Sequence, residues 1–202
     1  NMEKDQSTEQ KILEAAREVF VEKGMDGARM QDIADRAGMN KALLHYYFRS
    51  KEKLFEKVFI EQAAQFLPQV GDIIMSDAPL FTKIERFVDV YITKLTENPY
   101  LPMFILNELN KQPQSFILKV WGERGLPVEM FVTQVKDEIQ KGIIKPIDPR
   151  QLVVNMAALC IFPFAGKPMI QWVTQMNDED FWKFMEQRKI EVAKFIIDSI
   201  RK

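Results

Sequence analysis

Apolar positions recur along nearly the whole chain at intervals of three and four residues, and no run of alternating β-branched residues competes with them. Ser7-Thr8-Glu9-Gln10 has the form of a Ser-x-x-Gln capping box. Ile12, Leu13, Ala16, Val19 and Phe20 follow at helical spacing, with Gly24 as a stop. A short second helix turns Met30, Ile33, Ala34 and Ala37 inward and ends at Gly38. Asn40 can cap a third short helix carrying Leu44 and Tyr47. Ser50 can cap a fourth, with Leu54, Phe55, Val58 and Phe59 on one face and Pro68 near its end.

Beyond Pro68 the pattern changes. Gly71 to Pro79 reads as a kinked or loosely helical link. A long amphipathic helix then buries Ile84, Phe87, Val88, Tyr91, Ile92 and Leu95 and closes at Asn98-Pro99. Tyr100 to Asn110 is the next helix, broken by Gln112-Pro113, and Phe116 to Trp121 a short apolar one ending around Gly122 to Gly125. Pro127 to Lys141 is strongly helical through Val128, Phe131, Val132, Val135 and Ile139. Asp148-Pro149 is a cap followed by proline at the first helical position, opening a helix through Leu152, Val153, Met156 and Cys160 that is disturbed at Pro163 and Pro168. The last helix covers roughly Glu179 to Arg201. The expectation is an all-α chain with a head over residues 1–60 and a larger helical part over residues 61–202.

Composition narrows the chemistry. At 202 residues, 47% hydrophobic and 28% charged, the chain has the makings of a folded globular protein. No apolar run approaches the roughly 18 residues of a membrane span. The polar start lacks the apolar core of a secretion signal, and Asn1 ahead of Met2 reads as foreign to the natural start. One cysteine, Cys160, allows no disulfide within the chain, which suits a reducing cytoplasm. With one histidine as well, the usual zinc clusters and the Cys/His or Ser/His hydrolases lack their parts, so neither metal nor catalytic residues are assigned. No cofactor is expected.

Net charge is −1, yet its distribution is uneven. Residues 1–35 hold five basic against nine acidic side chains. Between Arg36 and Lys57 there are six basic residues (Arg36, Lys41, Arg49, Lys51, Lys53, Lys57) against Glu52 and Glu56. That local excess has the form of a footprint for phosphate, although a solvated helix face explains the charge alone equally well.

The segment Met30 to Phe48 decides between these. Two short helices joined at Gly38, held by Ile33, Ala34, Met39 and Leu44, have the layout of a helix-turn-helix, whose second helix enters the DNA major groove. Ala34 is small where the helices should cross, and Gly38 can take the left-handed conformation of the turn. The sequence from Gly38 to Leu54 resembles the DNA-binding domain of the TetR family of bacterial transcriptional repressors. The resemblance covers roughly Glu9 to Phe59: Asp32-Ile33-Ala34, Ala37-Gly38, Tyr47-Phe48 and Ser50-Lys51-Glu52 fall at the family's spacing. It departs where Arg29 replaces a common Ser or Thr cap, Asn40 a usual Ser and Leu43 a usual Thr, and where Tyr-His is inverted as His45-Tyr46. These departures bear on the operator sequence rather than the fold.

On this reading Asn40 and Lys41 open the recognition helix and meet phosphate or base edges. Leu43 makes apolar contact with a thymine methyl. His45 and Tyr46 lie on the exposed side, and Tyr47 offers its hydroxyl to a phosphate while its ring packs. Lys51, in the first turn of the fourth helix, opposes the helix dipole and is placed to clamp a phosphate. Gln31 can reach an outer base. Arg49, Lys53 and Lys57 are expected to be solvated.

One short recognition helix covers few base pairs, and pairing of two copies on a palindromic operator extends the site. The resemblance implies a homodimer through the last two long helices, about Asp148 to Phe164 and Glu179 to Arg201. The spread of Phe181, Trp182, Phe184, Met185, Val192, Phe195, Ile196 and Ile200 around the last helix agrees with it. The bulky residues Tyr91, Met103, Phe104, Phe116, Trp121, Met130, Phe131, Met156 and Phe162 could line an apolar pocket of several hundred Å³, as in family members that sense small hydrophobic molecules. Tyr100, Asn107, Glu108 and Asn155 are the polar groups that could orient a ligand. The expected function is a cytoplasmic repressor released from its operator by a small, largely apolar ligand. The alternatives are a regulator without a small-molecule inducer, gated by a protein or activating, and a helical enzyme using carboxylates such as Glu108 and Asp137, which sit at no catalytic spacing.

Overall fold

The computed structural model describes residues 2–124 and 128–202, and the side chains of all of these except residues 2–6 and 124. The expected helix start at Pro127, and Gly125 at the far end of the expected break around Gly122 to Gly125, lie outside the described residues. Eleven α-helices are described: α1 (Met2–Gly27), α2 (Met30–Arg36), α3 (Lys41–Tyr47), α4 (Lys51–Met75), α5 (Leu80–Glu97), α6 (Leu101–Lys111), α7 (Pro113–Trp121), α8 (Val128–Gln140), α9 (Pro149–Ala165), α10 (Lys167–Thr174) and α11 (Asp178–Ile200). Among the described residues no β-strand forms, and one antiparallel bridge pairs Ile144 with Arg201. The fold is all-α, as the periodicity requires. It divides into two compact units, Asn1–Gln65 and Phe66–Lys202, with the division inside α4.

In the first unit, Ile12, Ala16 and Phe20 of α1 pack with Ile33, Ala34, Leu44, Leu54 and Phe59, all fully buried. Phe55 closes the cluster edge-on to Phe20, with ring centroids 5.0 Å apart. Burying such side chains contributes roughly 1.5–3 kcal/mol each, which holds short helices that would not persist alone. The second unit is built on α5, whose Ile84, Phe87, Val88, Tyr91, Ile92 and Leu95 are all buried and which packs on α8, α9 and α11. The chain end is clipped down by Lys145 N–H donating to the Ile200 carbonyl at 2.7 Å.

Three expectations need correction. Ser7 does not cap α1, because the helix already runs from Met2; residues 2–6 contain no glycine or proline to stop it. The stop at Gly24 is real, as its φ of 70° breaks the helical run. Pro68 does not end α4, nor is Gly71–Met75 a loose link, since the helix continues to Met75. Proline removes one helical hydrogen bond, but Leu67, Val70, Gly71 and Ile74 continue the apolar spacing and face a shared core. The turn after α4 is then anchored by Lys83, a buried lysine whose Nζ donates to the Ile74 carbonyl at 2.9 Å. Its burial pushes the ammonium pKa down. Likewise α9 runs through Pro163 to Ala165, and Pro168 opens a separate helix, α10.

Candidate nucleic-acid interface and ligand cavity

The turn between α2 and α3 is fixed by its own backbone. Met39 N–H donates to the Ala34 carbonyl at 3.0 Å and Gly38 N–H to the Asp35 carbonyl at 3.1 Å, a Schellman closure with Gly38 at φ 66°. Asn40 then caps α3, its Oδ1 accepting from Leu43 N–H at 2.8 Å. Leu44 is the buried anchor of α3, so the rest of this seven-residue helix turns outward. Lys41, Leu43, His45 and Tyr46 are exposed, Leu43 at 39% and Tyr46 at 79%. Tyr47 is half-buried, with its ring edge-on to Tyr46 at 5.5 Å.

The brace beneath is electrostatic. At the start of α2 the Asp32 carboxylate accepts from Arg29 N–H at 3.3 Å and pairs with Lys23 at 2.9 Å, which holds its pKa below the ordinary carboxylate value. Arg36, counted above with the basic cluster, is instead held by Glu18 at 2.9 Å and by both oxygens of Glu22 at 3.0 and 2.9 Å. These hydrogen bonds raise the Arg36 pKa and lower that of Glu22. Lys57 pairs with Glu61 and, more distantly, with Glu9. Two of the six cations are therefore neutralised locally. Lys51 donates to the Ala28 carbonyl at 3.1 Å, tying the start of α4 to the loop before α2. Gln31 is exposed and donates through Nε2 to Asp35 at 2.7 Å, leaving its carbonyl oxygen outward. Among the described residues Lys41, Arg49 and Lys53 form no ion pair, so the positive field lies at the tip of α3 and the turn following it.

The second unit holds a cavity of about 220 Å³, walled by six helices: Leu67, Val70, Gly71 and Ile74 of α4; Phe87 and Tyr91 of α5; Ile105 and Leu109 of α6; Phe116, Ile117 and Trp121 of α7; Val128 and Phe131 of α8; and Val153, Met156 and Ala157 of α9. Tyr91, Phe116, Trp121, Phe131 and Met156 from the sequence reading stand in this wall. Phe104 is buried beside it, 6.4 Å from Phe116 between ring centroids. Tyr100, Met103 and Asn107 are exposed and do not line it, and Asn155 belongs to a surface groove between α9 and α11. The α4 wall was not foreseen, although its i, i+3, i+4, i+7 spacing is present in the sequence.

The family model described as "Bacterial regulatory proteins, tetR family" matches residues 12–58, the stretch that carries this helix-turn-helix. Residues 12–58 form a DNA-binding domain of the TetR family. Over most of its length it is similar to the HTH-type transcriptional regulator RutR of Escherichia coli K12, 26% identical over 192 residues, covering 94% of this chain and 89% of that one. Two crystal structures share the fold. The TetR/AcrR-family regulator from Thermobifida fusca gives a TM-score of 0.68 at 18% identity, covering 96% and 98% of the two chains. The regulator FadR from Bacillus subtilis in complex with stearoyl-CoA gives 0.60 at 19%, covering 95% and 99%. This chain is a DNA-binding transcriptional regulator, and the family that its first domain matches is one of regulators that bind DNA and form dimers rather than of enzymes.

The groove between α9 and α11 exposes apolar side chains. Phe162 is 53% and Phe195 66% exposed, beside Leu159, Pro163 and Ile196. In it Arg188 donates to the Leu159 carbonyl at 2.8 Å while its buried Nε has no partner. Among the described residues no single helix is long and apolar enough to cross a membrane.

Proposed function

We propose that this regulator is a cytoplasmic homodimeric repressor whose residues 1–60 read a palindromic operator and whose residues 61–202 dimerise and bind an effector that releases the DNA. The observation that carries this reading is the outward face of α3, with Lys41, Leu43, His45 and Tyr46 exposed on a helix anchored by Leu44 alone. Asn40 Nδ2, Lys41 and Tyr47 contact phosphate or base edges, Leu43 a thymine methyl, and His45 and Tyr46 the groove wall. Gln31 reaches an outer base through its carbonyl oxygen. Lys51 meets phosphate with the N–H groups it does not spend on Ala28, since an ammonium has three.

The apolar cavity supports the effector reading, as does the stearoyl-CoA complex of the similar FadR. An effector acts by binding more tightly to a conformation that fits the operator poorly, and its power is limited to that difference in affinity. The exposed Phe162 and Phe195 support pairing through α9 and α11. Selection of bound fragments from random duplex DNA at a fixed salt concentration tests the whole reading. The expected product is an inverted repeat, bound as a dimer and released by an apolar compound; an asymmetric or unselected pool, or indifference to every compound, goes against it.

A further inference from the structure

Helix α10 is fastened to its neighbours by its polar side. It follows α9 across a bend of 76°. Lys167 Nζ pairs with the Asp178 carboxylate at 2.8 Å and lies 4.7 Å from the centre of the Trp182 ring. Gln171 Nε2 donates to the same carboxylate at 2.9 Å. Positions 167, 171 and 174 share one face of a helix, and 169, 172 and 173 lie on the opposite one. That opposite face is Met169, Trp172 and Val173, all exposed, with Trp172 at 77%. None of the eight side chains of α10 is buried. An amphipathic helix ordinarily turns its apolar stripe to the core, and α10 is held the other way round. A helix this short does not persist alone, so the Asp178 anchors fix the three apolar side chains as an outward array.

We infer that the Met169–Trp172–Val173 face of α10 is covered by a second copy of this chain, as an extension of the contact through α9 and α11. This rests on the pairing proposed above and adds a surface to it. Two observations select that occupant. The first is continuity. Phe162, on the rim of the α9–α11 groove, lies against Gly166 at the start of α10, where a Cβ would come within 3.3 Å of its ring. The second is area. Phe162 and Phe195, at 53% and 66% exposed, offer roughly 200–300 Å² between them, whereas a stable pair buries about 800 Å² on each partner. Trp172 alone adds roughly 150 Å², and Met169 and Val173 flank it. Charge speaks against other occupants. Between residues 167 and 183 stand Asp178, Glu179 and Asp180 against Lys167 and Lys183, a balance that repels an anionic lipid surface or a phosphate backbone.

The test compares the full chain with Trp172→Glu and with Phe195→Glu by sedimentation. Trp172→Glu is expected to raise the dissociation constant of the pair about ten-fold or more, as loss of an interface tryptophan does. Its helical circular dichroism should not change, because the Trp172 ring is exposed within its own chain. Val173→Cys reads the same face without adding a charge. Cys160 is buried, so a bulky maleimide reports residue 173, and labelling should be about ten-fold slower above the dissociation constant than below it. A pair that Phe195→Glu disrupts and Trp172→Glu does not, or labelling at one rate at every concentration, overturns this inference and upholds the pairing through α9 and α11. A pair that Trp172→Glu disrupts and Phe195→Glu does not upholds the α10 contact and overturns the groove. A chain that is monomeric throughout overturns both. Labelling slowed only by phosphatidylglycerol vesicles assigns the face to lipid and overturns the inference as well.

Discussion

In the proposed reading Asn40 holds two jobs on one side chain. Its Oδ1 caps α3 through Leu43 N–H, and only its Nδ2 remains for DNA. Asn40→Asp separates them, because a carboxylate caps as well as an amide but repels phosphate. The variant should melt within about 0.5 kcal/mol of the parent and lose operator affinity, as read by fluorescence anisotropy. Asn40→Ala, by contrast, should cost roughly 1 kcal/mol of stability. Arg36 presents the opposite case. Its charge is plain in the sequence, whereas its engagement by Glu18 and Glu22, 18 and 14 residues earlier, is created by the packing of α1 on α2. Local charge counting therefore overstates the phosphate footprint. The same contacts set a pH dependence. Glu22 is depressed chiefly by the Arg36 hydrogen bond and Asp32 chiefly by Lys23. A carboxylate with a lowered folded pKa stabilises the fold above its unfolded pKa, about 4, and that stability is lost as pH falls through the lower folded value. Melting followed from pH 5 to pH 2 should show the decline, and Arg36→Gln should flatten the part due to Glu22.

Among the elements, the α2–α3 turn was legible because everything it needs is local: a glycine at the bend and an asparagine three residues before Leu43. Gly38 is required by its φ of 66° and not by crowding, since a Cβ there would touch nothing within 4 Å. Gly38→Ala should therefore cost about 1–2 kcal/mol, the price of a left-handed L-residue, seen as faster amide exchange across residues 30–47. Gly38→Asn should cost less, as asparagine tolerates that region. Elements defined by long-range packing were less legible. Pro68 is a helix breaker by propensity, but propensity yields where the flanking apolar stripe is buried on both sides of it. The cavity wall has the same difficulty. On α6 it is buried Ile105 and half-open Leu109 that line the cavity, while Met103 and Asn107, two residues off and so on the far side of the helix, face solvent. Residue type alone could not choose between the faces, because Met103 and Leu109 are equally apolar.

For the whole molecule the decisive quantity is how many heads bind one operator. A head contacting a half-site alone relies on a few exposed side chains of α3, and its affinity is correspondingly low. Joining two heads through a common dimer turns the second contact into an intramolecular event, which raises affinity by 10²–10⁴ when the geometry allows both to engage. In the proposed dimer the groove of α9 and α11, with Phe162 and Phe195 exposed and Arg188 Nε unpaired, is the surface on which that joining depends. Phe195→Glu places a charge on that apolar face and, facing its copy across a two-fold axis, brings two like charges together. The variant should sediment as a monomer at concentrations where the parent is a dimer. Its affinity for the full palindrome should fall by about 10²-fold or more, while its affinity for an isolated half-site stays within two-fold of the parent's. Tyr46→Ala gives the complementary pattern, a dimer with both affinities reduced, since it removes a contact from each head and leaves the groove alone. If Phe195→Glu stays dimeric, pairing uses another surface. If it dissociates yet binds the palindrome as tightly as before, each head reads its operator on its own, and the shared scaffold contributes nothing to recognition.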